Sequence, residues 1–391
     1  MLGERKYFLD WLRVIAFGFL IFFHVGLQYV DWGNNTMGGR IFPELEYLLM
    51  CISPWRLVLL FFISGVASRF LIEKLQPGRF SLERVRRLFI VLLLGMFVIV
   101  PIQVYFELLH NGQVNPGYMD FWLDDYMQEK RFPGYILPSW SHLWFLIYLL
   151  IYAQTFALLF KLFRRDKPFN IPLWVLIVVP GIWLCTANVV IEQFSPVTMD
   201  LFHDWGNHLR WIGAFSTGIL CAGRKTFWEF VKNARRRLLV VSLIGLTMYL
   251  GNYMYWQTGA EDPFWDGIIY GVIRGFYGWA GVLTLAGYAY KYINRQSPLL
   301  RYLTDAVLPV YVVHQPIIIV AAYYLFPLSL PFLIESVLMC LITGIGSFAF
   351  YELFVRRWRI ARFLFGLKIT VPVNAGNRSS ELTPGLRTIQ G

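Results

Sequence analysis

The chain has 391 residues, of which 57% are hydrophobic, 18% aromatic and only 15% charged. A soluble domain of that composition would lack the polar surface to cover its core, and several apolar runs exceed the ~18 residues that cross a bilayer. The net charge of +11 therefore reads as Lys and Arg gathered in loops on one side of a membrane, and nucleic acid is set aside as a partner.

In chain order, ten spans are predicted at residues 8–30, 52–73, 86–109, 141–163, 171–193, 208–223, 238–256, 266–290, 305–325 and 332–355. The fold class that follows is all-α, a polytopic bundle of about ten transmembrane helices. No small-residue cleavage site follows the first run, since "VGLQYV" comes after His24; an uncleaved span is expected. For the second span, Ser53 is a cap and Pro54 suits the first helical position, with "EYLLMCI" ahead of it as a short interfacial helix. Residues 110–140 form a long connection in which Tyr118, Phe121, Trp122, Tyr126, Tyr135 and Trp140 are mixed with Asp120, Asp124, Asp125 and Glu129. That mixture suits a sugar, or else an interfacial aromatic belt.

Placing both termini in the cytoplasm puts almost every loop Lys and Arg on the inner side, with Arg40, Lys130 and Arg131 left outside and Arg210 near a span end. The four cysteines, Cys51, Cys185, Cys221 and Cys340, fall in apolar runs and read as small buried hydrophobes. Residues 1–368 form one membrane domain, and 369–391 read as a polar disordered tail.

Charged groups at mid-bilayer carry an insertion penalty of roughly 2.5–3.5 kcal/mol, so each needs a partner, a wet cavity or a task. Arg13 and His24 are eleven residues apart, which makes three helical turns plus about 20°, so they share one stripe about 16 Å apart. Asp10, three residues before Arg13, is placed to pair with it. A cation low on the stripe and a titratable base above it suit a long anionic donor entering from the cytoplasm. A snorkelling arginine and a histidine bonded to a neighbouring helix would account for the same pattern.

His142 opens the fourth span in "SWSHLWFL". His314 lies mid-span in "VYVVHQP", where Pro316 must free a backbone carbonyl. In "FFISGVASRF", Gly65, Ala67 and Ser68 permit close helix approach, and Arg69 lies toward the cytoplasm. "RVRR", residues 84–87, lies just ahead of the third span and could meet phosphate or anionic lipid. The histidines fall on separate spans without ligand spacing, so no metal is expected.

Together, "YFLDWLR" with Arg13-x10-His24, "FFISG", "RVRR", "SHLWFL" and "VYVVHQP" resemble the bacterial acyltransferase family 3 over about residues 5 to 360. The family's members are integral membrane O-acyltransferases. The resemblance implies an acyl-CoA donor, succinyl-CoA or acetyl-CoA, as co-substrate on the cytoplasmic side of a bacterial inner membrane. It also implies an envelope polysaccharide as acceptor, and the motifs look most like members that succinylate periplasmic glucans. Under it His24 is the leading catalytic residue, with His314 and His142 as further candidates. Arg13, Asp10, Arg69, Arg84, Arg86, Arg87, Ser64 and Trp144 become candidates for substrate and CoA contacts. A glycan transporter or flippase, whose polar residues would line a path, is the rival reading, and no inverted repeat is seen for it.

Overall fold

The computed structural model describes residues 6–33, 36–162, 171–195, 197–259 and 262–368. The tail beyond 368, Arg5 and the basic residues Arg164, Arg165 and Lys167 lie outside the described residues. Among the described residues, ten long helices follow one another: α1 Tyr7–Gly26, α2 Pro43–Leu75, α3 Pro77–His110, α4 Trp144–Leu162, α5 Leu173–Phe194, α6 Trp205–Cys221, α7 Lys225–Trp256, α8 Pro263–Tyr292, α9 Pro298–Leu325 and α10 Phe332–Phe350. By length and apolar composition nine of these regions can each cross a membrane, and α6, at 17 residues, falls just short. The chain is a multi-pass helical membrane protein.

Burial sorts the helices into centre and rim. In α2, 78% of the apolar window is buried, against 11% in α7 and 22% in α10; the rim helices turn their Leu, Ile and Val outward, as lipid-facing surfaces do. α2 packs on α6, α8 and α1, while α9 packs on α10, α1 and α3. Gly65 makes the α2–α6 contact possible: a Cβ there would lie 2.0 Å from the Phe215 carbonyl oxygen, and one on Gly218 would lie 2.0 Å from that of Phe62. The small residues of "FFISG" thus let two backbones touch.

Two predicted boundaries are corrected. α2 begins at Pro43, and Pro54 lies inside it. The expected start at Ser53 and the separate interfacial helix are one continuous element. Pro54 lacks the N–H that would bond the Met50 carbonyl; beside that gap, the Cys51 carbonyl accepts from Trp55 Nε1 and from the Tyr277 hydroxyl, both at 2.7 Å. Gly278 of α8 faces the Pro54 carbonyl closely enough that a Cβ would sit 2.8 Å away. Likewise "RVRR" lies within α3, where the π-turn Val85–Phe89 begins, and not ahead of it.

The two ends differ in character. At one, Lys6 caps the Trp228 ring at 4.5 Å, Tyr7 bonds Gln296, Arg86 lies over Phe363 and the Gly366 turn packs against Arg87. The start of α1 and the last described residues thus share a basic face. At the other, Tyr29 packs on Phe332, Arg40 pairs with Glu335 at 3.6 Å, and Trp140 Nε1 donates to the Met199 carbonyl.

Candidate active site

The site starts from a missing hydrogen. Pro316 has no N–H, so the Val312 carbonyl one turn earlier in α9 loses its helical donor. His142, at the entry to α4, fills the vacancy: its Nε2 donates to Val312 O at 3.0 Å. The contact is reciprocal, since the Tyr311 hydroxyl donates to the His142 carbonyl at 2.6 Å. Proline, histidine and tyrosine together lock α4 onto α9.

His314 and His24 are fixed in the same manner. A carbonyl can only accept, so each contacting ring nitrogen must carry its proton. His314 Nδ1 donates to Tyr311 O at 2.6 Å, and His24 Nδ1 donates to Leu20 O at 2.9 Å. His314 Nε2 then faces His24 Nδ1 at 3.4 Å, so that N–H is shared between the Leu20 carbonyl and His314. The ring centroids lie 5.1 Å apart for His24 and His314, and 5.4 Å for His142 and His314. Three histidines from three distant spans form one cluster. His314 is fully buried behind the other two, and His24 Nε2 makes no hydrogen bond among the described residues. Among those residues, no group of three His, Cys, Asp or Glu is arranged to hold a metal ion.

His24 and His142 line a cavity of about 1180 Å³, with Trp144, Tyr311, Gln315 and Arg56 beside them. Toward the outer end the wall carries Trp32, Thr36, Glu107, Tyr135, Trp140 and Trp256. Glu107 is buried and accepts from Tyr135 at 2.7 Å, Thr36 at 3.1 Å and Gln103 at 3.3 Å. Of the aromatic connection at 110–140, Tyr135 and Trp140 reach this wall, while Phe121 and Tyr126 pack into the core. The carboxylate that faces the cavity is Glu107 of α3; none of the connection's own acids is part of the wall.

The remaining predicted residues gather at the basic end. Asp10 and Arg13 pair at 3.7 Å. Arg84 lies within electrostatic reach of Arg13 and Arg87 and donates to Ser68 Oγ at 3.1 Å. Arg69 is engaged with Glu73 at 2.8 Å and lies over Phe160, and Arg86 turns to Glu83 at 3.8 Å and Phe363. Ser64 is half-buried on α2 and is not part of the cavity wall. Neither is Arg13: on α1 the wall residue nearest the basic end is Phe17, one turn or about 6 Å above Arg13.

Sequence reasoning missed Arg56. Starting α2 at Pro54 put Arg56 at an interface, where an arginine is ordinary. With the true start at Pro43 it lies thirteen residues into the helix, 4% exposed, its guanidinium 3.7 Å from the Phe23 ring centroid.

A helical bundle with a basic face, a polar chamber and a histidine cluster between them is the architecture of a multi-pass membrane enzyme. Residues 6–352 match the family model described as "Acyltransferase domain"; the chain belongs to that family and is an acyltransferase. Among curated proteins it is similar to "Glucans biosynthesis protein C" of Shigella boydii serotype 4 (strain Sb227), 24% identical over 344 residues, 83% of this chain and 85% of the relative. The protein of that name in Escherichia coli (strain K12) is 24% identical over 342 residues, with the same coverage. No solved structure matches the chain.

Proposed function

We propose that the protein moves an acyl group, succinyl in the first instance, from cytoplasmic acyl-CoA to a hydroxyl of a periplasmic glucan. The two substrates meet inside a bacterial inner membrane. His24 is the general base. As the sugar oxygen attacks the thioester carbon, its proton passes to His24 Nε2; the C–O bond forms, the C–S bond breaks, and the departing thiolate takes the proton. A positioned base contributes ~10²–10⁴-fold to such a step.

One observation carries this reading. With His24 Nδ1–H committed to Leu20 O at 2.9 Å, Nε2 is the nitrogen left to accept a proton, on a residue that lines the chamber. His314, which shares the His24 N–H, and His142, which sets the α4–α9 register, hold positioning roles. At the basic face, Arg13, Arg84 and Arg87 bring like charges together, an arrangement that becomes favourable when phosphates of CoA lie among them. The glucan enters from the opposite mouth, where Trp32, Trp140 and Trp256 offer stacking faces and Glu107 an acceptor. The similarity to relatives called "Glucans biosynthesis protein C" supports a glucan acceptor.

The test is direct. Purified protein, labelled succinyl-CoA or acetyl-CoA, and periplasmic glucan are incubated, and the glucan is analysed by mass spectrometry. A covalent ester is expected with succinyl as the preferred group. Transfer of acetyl alone would make the protein an O-acetyltransferase, and binding without any ester would favour a transporter.

A further inference from the structure

Arg56 is set apart from the other arginines sunk in the bundle. Arg210 reaches Asn188 and Asn207, Arg274 reaches Tyr270 and Glu192, and Arg84 reaches Ser68. Arg56 reaches no acceptor among the described residues: its Nε and Nη1 are buried without a hydrogen bond. A guanidinium stays charged at any physiological pH, and an unpaired one inside a bilayer is strongly unfavourable. Its planar face is covered by Phe23 at 3.7 Å, so what remains bare is the edge that carries the N–H groups. Arg56 belongs to the wall of the chamber that His24 also lines.

A bare guanidinium edge matches a planar carboxylate through paired N–H contacts, a geometry that a single carbonyl oxygen does not fill. Arg56 lies within electrostatic reach of both His24 and His314. The anion it serves therefore belongs beside the reacting carbon, on the acyl group itself, and not far along a glycan. We propose that Arg56 is the residue that reads the acyl donor, by binding a free carboxylate at the distal end of the group being transferred. The assignment rests on the acyl-transfer reading of the same chamber.

The experiment compares succinyl-CoA with butyryl-CoA, which has the same chain length and a methyl group in place of the carboxylate. The full-length protein is used in detergent with periplasmic glucan as acceptor. Wild type should favour succinyl over butyryl by about 100-fold or more in kcat/KM, as a site built for a polar group rejects the analogue lacking it. Arg56→Gln should bring that ratio to within about threefold, and Arg56→Lys, which keeps the charge and loses the fork, should fall between. Equal use of the two donors by wild type would overturn the assignment without recourse to a variant. So would an Arg56→Gln enzyme in which both donors fall together and the ratio stays high. Failure of wild type to transfer any acyl group would overturn the acyl-transfer reading, and this assignment with it.

Discussion

Replacing His24 by Asn separates the two nitrogens of the ring. The Asn amide nitrogen occupies the place of Nδ1 and can still donate to Leu20 O, now at 2.9 Å from that atom, and to His314 Nε2, now at 3.4 Å. Nothing replaces Nε2. The scaffold should therefore survive: His24 is half-buried on a cavity wall, and stability should change by about 1 kcal/mol or less. The chemistry should not survive. Loss of a general base lowers kcat by ~10²–10⁴-fold, about 2.7–5.5 kcal/mol of barrier. KM for acyl-CoA should move little, because the phosphate contacts proposed for Arg13 and Arg84 lie some three turns away at the basic end. Initial rates of labelled acyl transfer to glucan, with thermal melting in detergent as the control, give both numbers. A His24→Asn enzyme with kcat within about threefold of wild type would refute the base assignment. A loss confined to KM would move His24 from chemistry to binding.

Other expectations follow from the same contacts. Pro316→Ala restores an N–H that competes with His142 for the Val312 carbonyl; kcat should fall about tenfold while the melting temperature holds or rises, since a helix interior is better without proline. If activity is retained, the His142 contact is dispensable. Arg13→Ala and Arg84→Gln should each raise KM for acyl-CoA about tenfold, the equivalent of about 1.4 kcal/mol of binding; unchanged values would make both residues structural. Gly65→Val should lower stability by about 1–3 kcal/mol or abolish expression, because the Phe215 carbonyl occupies the space a side chain needs. Detergent melting curves decide this last point, and a normal melt would show that α2 and α6 can part without loss.

Much of the architecture was legible because helical periodicity and apolar length are local properties. The Arg13–His24 stripe could be drawn from an angle of 100° per residue, and α1 runs unbroken between the two. The freed carbonyl in "VYVVHQP" was also readable, since a proline removes its donor wherever it stands. Its recipient was not: His142 is 170 positions away in sequence, and no local pattern announces such a pairing. The meeting of His24 with His314 was hidden for the same reason. Arg56 was lost to a different error. Ser53–Pro54 is a sound helix start in water, but within the bundle α2 starts at Pro43 and runs through it. In sequence the aromatic connection at 110–140 suits a sugar surface or an interfacial belt alike, and its residues divide between core and cavity wall according to tertiary position.

The partition at Phe17 has a consequence for the cell. Phe17 lies edge-on against Tyr311, with centroids 5.5 Å apart, and Leu20 above it is 4% exposed. A single turn of apolar packing thus divides the wet chamber from the charged face. A thin, extended donor arm could part such a seal and let it shut again after leaving. A seal of that kind would hold back protons and other small ions between turnovers, and a membrane crowded with these molecules would keep its electrochemical gradients.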